Sequence, residues 1–280
     1  MDIRLELMKI FEDTMQFLKS DPALHAASEA SVRDTVLYPE GNTPALPENR
    51  HFDTAVSVTK ERSFQAAVRL RKAYPDAKIA VHNFASATNP GGGVTRGSRA
   101  QEECLCRCST LYPALASPAL HENYYQFHRN RHDVRYTDAC IFTPGVVICK
   151  SDTDFPDRLP QQDWVTVDIL TCAAPNLREK PYNFMNPGTG SSVKLSDEAL
   201  YELHIKRARH LLSVAAANGD EVLVLGAFGC GAFRNDPSVV AAAYKTVLQE
   251  YDGIFRDVTF AVFCTEREAA NYQAFSAVFK

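Results

Sequence analysis

The sequence carries no large excess of either charge, no apolar run of membrane-spanning length, no internal repeat and no low-complexity tract. Lysine and arginine number 30 against 34 aspartates and glutamates, a formal net charge of -4. Proteins that grip long nucleic acids through bulk charge are basic, so direct DNA binding is not expected. An anionic ligand would have to be met by backbone amides and a few arginines. Without roughly 20 consecutive apolar residues, no membrane partner is expected either. The start, MDIRLELMKIFEDTMQF, is charged and helical in period, unlike a secretory signal. Several of the eight cysteines fall inside apolar runs, the pattern of reduced, buried thiols in a soluble cytoplasmic protein.

What is present is enough for one large domain or two small ones: 280 residues, 45% hydrophobic and 23% charged. Residues 2–20 carry Ile3, Leu5, Leu7, Met8, Ile10, Phe11, Met15, Phe17 and Leu18, which approximate a helical stripe. Residues 37–52 hold three prolines and a glycine and read as a loop or extended arm. A helix is expected over 59–73. Segments 78–84, 139–149, 164–172, 221–228 and 257–264 are rich in branched and aromatic residues and read as buried strands. Helices are expected over 99–112, 196–218, 237–250 and 266–278, with Ser196 as an N-cap and Pro237 at a first helical position. Alternating strands and helices make an α/β domain with helices on both faces of a sheet. Residues 1–55 read as an N-terminal helical extension and 56–280 as one compact unit.

Two glycine-rich segments leave strands. The first is NFASATNPGGGVTRGSRAQEE (83–103) and the second GAFGCGAFRNDP (226–237). Successive glycines remove every Cβ, so backbone N–H groups can approach a ligand. A strand, glycine loop and helix in that order suit a phosphate. In open α/β sheets, ligands sit beyond the carboxyl ends of strands, where both loops lie. Neither matches the P-loop pattern, and neither is a clean dinucleotide fingerprint. Taken singly, each is best read as a turn; two together, one ending in Gln101-Glu102-Glu103, point to function.

Adjacent helical residues point about 100° apart, so Glu102 and Glu103 do not face one sugar from opposite sides as a two-carboxylate glycosidase requires. One acting carboxylate with an orienting neighbour fits better. The helix dipole lowers a carboxyl pKa there, so a general acid would need desolvation or an anionic ligand to raise it. The plain alternative is an acidic first turn.

Gly91-Gly92-Gly93 followed after seven residues by Gln101-Glu102-Glu103 resembles the signature of poly(ADP-ribose) glycohydrolases. NFASA before the glycines, AQEE-x-L-x-R-x-S-x-L-Y-P after them, TCAAPN at 171–176 and GAFGCGAFRNDP resemble the microbial-type branch. The resemblance runs over roughly residues 55–265. It implies a macrodomain-like three-layer α-β-α fold with a mixed central sheet. It implies Glu103 as catalytic acid and base and Glu102 as holder of the ribose hydroxyls. Asn83, Asn89 and Gly91–Gly93 would meet the distal ribose, with Gln101 on the same side. Gly229, Cys230, Gly231, Ala232 and Phe233 would cradle the diphosphate, with Phe233 over the phosphate–ribose region. The implied partners are poly(ADP-ribose), ADP-ribose and ADP-ribosylated proteins, with no metal or cofactor, and a monomer is the default.

Other features have plainer readings. Cys104, Cys106 and Cys108 lack the pair spacing of zinc sites and read as small helix-packing residues. Cys230 has no nearby histidine in sequence and reads as space-filling, with reactivity near a helix N-terminus as the alternative. His128 and His132 lack a third ligand, so residues 121–135 read as a solvated face that could touch the polymer through Tyr124, Tyr125 and Phe127. Trp164 reads as core. The competing functions are a macrodomain that binds ADP-ribose without cutting it, which the Gln-Glu-Glu run disfavours, and a hydrolase of mono-ADP-ribosyl links, which shares the same pocket.

Overall fold

The computed structural model describes residues 2–47, 51–182, 190–266 and 268–280. Seven strands form one mixed sheet: β1 (Val36–Tyr38), β2 (Ala55–Thr59), β3 (Ile79–Phe84), β4 (Cys140–Ile148), β5 (Val165–Cys172), β6 (Val222–Leu225) and β7 (Asp257–Ala261). Their spatial order is β1-β4-β5-β3-β6-β7-β2. From β5 to β2 every pairing is parallel, while β4 runs antiparallel to both β1 and β5. The helices are α1 (Ile3–Ser20), α2 (Pro22–Asp34), α3 (Ser63–Ala73), α4 (Gln101–Cys108), α5 (Leu111–Leu115), α6 (Pro118–Leu120), α7 (Phe127–Arg131), α8 (Asp197–Ala217), α9 (Pro237–Glu250) and α10 (Ala270–Val278). No described helix is long and apolar enough to cross a membrane.

The central strands are continuous apolar runs because both their faces are covered. Ile79, Val81, Ile169, Val222 and Val224 face a core with α3, α4 and α5. Their neighbours Ala80, Leu170, Leu223 and Leu225 face a second core with α8, α9 and α10. This period-two division yields the three expected layers. Capping chemistry sets the helix starts: Ser196 Oγ accepts from the Ala199 amide, and Asp236 accepts from the Ser238 and Val239 amides ahead of Pro237.

Three expectations are corrected. The helix expected from 59 begins at Ser63, because Ala55–Thr59 pairs with β7 as an edge strand. The loop expected over 37–52 begins with part of β1, which pairs with Cys140–Phe142; residues 48–50 lie outside the described residues. The helix expected over 99–112 breaks at Ser109 and Thr110. There the Cys108 carbonyl accepts from the Cys149 and Lys150 amides, and Thr110 Oγ1 accepts from the Val147 amide. Capture by β4 therefore outcompetes helix continuation.

The N-terminal helices pack on this frame. Leu18 and Leu24 bury against Val147 and Cys149. Thr14 Oγ1 donates to the Arg107 carbonyl at 2.7 Å, and the buried Lys150 ammonium donates to the Ile10 carbonyl. Asp13 pairs with Arg158 and Lys150, and these bonds hold its carboxyl down to about 2. Trp164 is half-buried beside Phe17 and donates its indole N–H to the Leu159 carbonyl.

Candidate active site

The carboxyl ends of β3, β5, β6 and β7 open into one cleft of about 1140 Å³. On one wall, β3 runs into the first glycine loop and α4 returns beneath it. The Gln101 side chain fastens that return: its oxygen accepts from the Phe84 amide, and its nitrogen donates to the His82 carbonyl and Ser63 Oγ. Both N–H donors are thereby spent on the protein, so Gln101 aligns the start of α4 against the end of β3.

Glu102 and Glu103 follow, 3% and 7% exposed. Glu102 Oε2 accepts from the Ser86 amide at 2.7 Å, and Glu103 Oε1 accepts from the Gly93 amide at 2.8 Å. Glu103 Oε2 accepts no hydrogen bond from any described residue. Gly91 and Gly92 both have left-handed backbone, with φ 62° and 59°. A Cβ on Gly92 would lie 2.5 Å from Glu103 Oε1 and 3.0 Å from Glu102 Oε2. The two carboxyl groups thus flank one residue that has no side chain. Burial, and then the charge of Glu103, push the Glu102 carboxyl well above the ordinary range, against the opposing Ser86 amide, Asn83 side chain and Gly91 amide. Desolvation therefore outweighs the dipole at this helix start, and it acts on Glu102.

Arg107, further along α4, is almost fully buried and donates to the Ser98 carbonyl at 2.7 Å. Gly97, with φ 70°, backs directly onto the Arg4 carbonyl, where a Cβ could not fit. The first residues of the N-terminal helix, Asp2 to Arg4, consequently line the cleft.

The opposite wall is the second glycine loop. Gly229 has φ 77°, and a Cβ there would strike Ala174 and Asn235. Gly231 is different: a Cβ would meet nothing within 4 Å. Phe233 stands between Tyr136, at 6.2 Å centroid separation, and the Arg178 guanidinium, 5.6 Å from the ring centre. Asp236 caps α9 immediately behind the loop.

Of the residues singled out in the sequence, Asn89, Gly92, Gly93, Gln101, Glu102, Glu103, Gly229, Gly231, Ala232 and Phe233 border this one cleft. Asn83, Gly91 and Cys230 do not. Asn83 is fully buried and donates to Thr171 Oγ1 at 3.1 Å. Gly91 packs against the Tyr112 ring and Cys106. The Cys230 thiol turns to the Phe228 carbonyl and the α8–α9 core, and burial raises its pKa, so it is no reactive thiolate.

Most of 121–135 is a solvated face, with His121, Glu122, Asn123, Phe127, Asn130, Arg131, His132 and Arg135 exposed, but two of the aromatic residues expected to touch the polymer are not on it. Tyr124, Tyr125 and His128 are buried, and the His128 ring nitrogens bond the Tyr124 carbonyl and Thr137 Oγ1. Only Arg129 reaches the site, donating to Asn89 Oδ1 at 3.1 Å.

Tyr136, Asn176, Arg178, Arg62 and Phe263 also line the cleft and were missed from sequence. Tyr136 has a positive φ of 54°, which no local motif announces. Arg178 follows TCAAPN by two residues. Phe263 lies just past β7, where the rule that ligands sit beyond parallel strand ends could have found it. Its ring is 53% exposed, with the Arg62 guanidinium 4.1 Å from its centre. Among the described residues, five arginines and no lysine border the cleft, beside Asp2, Glu102, Glu103 and Asp152. Such a cleft, with a glycine loop on each wall and paired carboxyls, suits an elongated anionic ligand and acid–base work on it.

The family model described as "Microbial-type PARG, catalytic domain" matches residues 8–151. No curated protein sequence matches the chain. Among solved structures, poly(ADP-ribose) glycohydrolase from Thermomonospora curvata is similar at 32% identity, covering 99% of this chain and 100% of that one, with a TM-score of 0.84. The same enzyme bound to the inhibitor ADP-HPD is similar at 32% identity, 98% and 99% coverage, and a TM-score of 0.79. The Deinococcus radiodurans enzyme in complex with ADP-ribose is similar at 36% identity, 90% and 96% coverage, and a TM-score of 0.72. The Thermomonospora curvata matches, over 98–99% of this chain, take in the N-terminal helices, which no sequence motif had marked.

Proposed function

We infer, from a chain that belongs to the microbial-type poly(ADP-ribose) glycohydrolases, that it hydrolyses the ribose–ribose O-glycosidic bond of poly(ADP-ribose), mainly at chain ends, and releases ADP-ribose. The observation that carries the reading is the fixed carboxyl of Glu103. One oxygen is held by the Gly93 amide, and the other lacks a protein partner in a carboxyl that borders the cleft.

In this reading Glu103 donates a proton to the leaving ribose oxygen, and positive charge builds on the retained ribose. The diphosphate, held by the amides of Gly229–Phe233, stabilises that charge. Water then attacks, with Glu103 as base. Glu102, whose carboxyl burial pushes well above the ordinary range, holds the ribose hydroxyls. Asn89, Gly92 and Gly93 border the same ribose; Asn83 and Gly91 support it from behind Glu102. Catalysis here is positioning plus one acid–base group.

The same proposal divides the chain into an N-terminal arm, residues 1–55, and a catalytic unit, residues 56–280. It places a monomer in the cytoplasm, acting on ADP-ribosylated proteins without binding DNA directly. Eight free cysteines support a reducing compartment.

The test is incubation of wild type and Glu103→Gln with poly(ADP-ribose), following free ADP-ribose, beside calorimetric binding of ADP-ribose. Wild type should release ADP-ribose, and the variant should bind it while losing about 10²–10⁴-fold in rate. Tight binding with an intact polymer would instead make the protein a reader.

A further inference from the structure

Behind the second glycine loop lies a polar arrangement that the reaction as described does not use. His204 on α8 is fully buried, and its Nε2 is 2.8 Å from Asn235 Oδ1. Asn235 is also buried, and its side-chain NH2 faces three carbonyls, Pro175 at 2.7 Å and Gly229 and Phe233 at 3.2 Å each, so one of its two N–H groups is shared. Its backbone N–H donates again to the Gly229 carbonyl at 3.1 Å. One amide group thus ties both ends of the Gly229–Phe233 loop to the chain that follows β5.

The donor directions fix the rest. Three carbonyls can only accept, so the nitrogen of Asn235 must face them and its oxygen must face His204. That oxygen then needs a donor, so His204 must carry its proton on Nε2. His204 Nδ1 meets no hydrogen-bond partner among the described residues. Burial holds the ring's pKa down to about 4, so it is neutral in ordinary buffers. Gly229 packs within van der Waals contact of the Asn235 amide, since a Cβ there would stand 2.9 Å from Asn235 Cγ. If the amide rotates, the loop moves with it.

We propose that His204 is a positioning residue for diphosphate binding: its Nε2–H orients the Asn235 amide, and that amide sets the Gly229–Phe233 backbone so its N–H groups face the anion. The proposal rests on the reading that this loop cradles the diphosphate of ADP-ribose. His204 itself touches no substrate. It acts through two hydrogen bonds in series, and its contribution belongs to binding rather than to the proton transfer at Glu103.

The experiment compares the affinities of ADP-ribose and adenosine in wild type, His204→Phe and His204→Gln. Wild type should bind ADP-ribose far more tightly than adenosine; if it does not, the cradle reading itself fails, whatever the variants do. Phenylalanine keeps a flat ring and removes the donor, leaving Asn235 Oδ1 unpaired. The variant should lose roughly ten- to hundredfold in ADP-ribose affinity with adenosine affinity unchanged. Glutamine, whose amide can reach the place of Nε2, should recover most of that loss. Equal losses for both ligands would mean general structural damage and overturn the proposal. So would an unchanged ratio, or a Gln variant no better than Phe. If His204→Phe does not fold, the tautomer of His204 in wild type decides, read by nitrogen-15 long-range correlation NMR. An Nε2–H ring is expected, and an Nδ1–H ring overturns the assignment.

Discussion

The two glycine loops face each other across the cleft, and one glycine of the second, Gly231, exists for a different reason from the three of the first. In the first loop the protein itself fills the space: Gly91 is pressed by Tyr112, Gly92 by two carboxyl groups and Gly93 by Ser98. In the second loop Gly231 has open space where a side chain would be. Glycine in the first loop lets the catalytic carboxyls approach the backbone that fixes them. At Gly231 it leaves room for something that is not protein. A similar sequence signal thus encodes close packing against the protein at Gly91–Gly93 and Gly229, and ligand clearance at Gly231.

The sharpest way to break this contrast is Gly92→Ala. The new methyl group would overlap Glu103 Oε1 and force φ 59° on a residue that avoids it. A displacement of about 1 Å in a catalytic group costs on the order of 10²-fold, so kcat/KM on poly(ADP-ribose) should fall at least that far. Activity within a few fold of wild type would mean the carboxyls do not act from their positions in this structure.

Gly231→Ala probes the other wall. No protein atom opposes the methyl group, so thermal stability should not change. The dissociation constant of ADP-ribose should rise by about tenfold through lost clearance, with kcat little altered. An unchanged constant would show that the ligand does not press on Gly231.

The smallest expected effect sharpens the first wall alone. A carboxyl with a raised folded-state pKa is best tolerated in acid, below its unfolded value, and becomes costly as pH rises toward and through the folded value. Burial and Glu103 raise Glu102 in this way. Glu102→Gln should therefore melt about 2 °C or more above wild type at pH 8 and lose that advantage near pH 4. A melting difference independent of pH would remove Glu102 as its source.

The difference between the walls also explains what could be read from sequence. Glycine runs and Gln101-Glu102-Glu103 are local in the chain, so their spacing survives in one dimension. The strands β3 to β7 were legible because a buried strand needs a run of apolar residues that nothing else supplies. Tyr136, Arg178 and Phe263 were not legible. Each reaches the cleft from a separate segment, and only the sheet order brings those segments together. His204 hides for another reason: in a helix rich in apolar and charged residues, a buried histidine looks like any other polar position. β1 and β2 were missed because they are short sheet edges with half-buried patterns, where pairing with β4 and β7 overrides weak local preference. Gln101 was legible as part of a motif, while its bonds to Phe84, His82 and Ser63 were not, since spacing cannot say which protein groups an amide meets.

The contacts around Arg107 form a closed circuit. Its carbonyl takes the Thr14 hydroxyl of α1, its guanidinium takes the Ser98 carbonyl, and Gly97 next to Ser98 lies against Arg4 at the start of the same α1. Engineers distinguish a linkage whose members end in the open from one that returns to its own frame. The second kind has fewer ways to flex for the same number of joints, and any single joint can slacken while the others still hold the shape. By that logic the segment joining the three glycines to the two glutamates behaves as a braced truss, with the N-terminal helix as the bar that closes it.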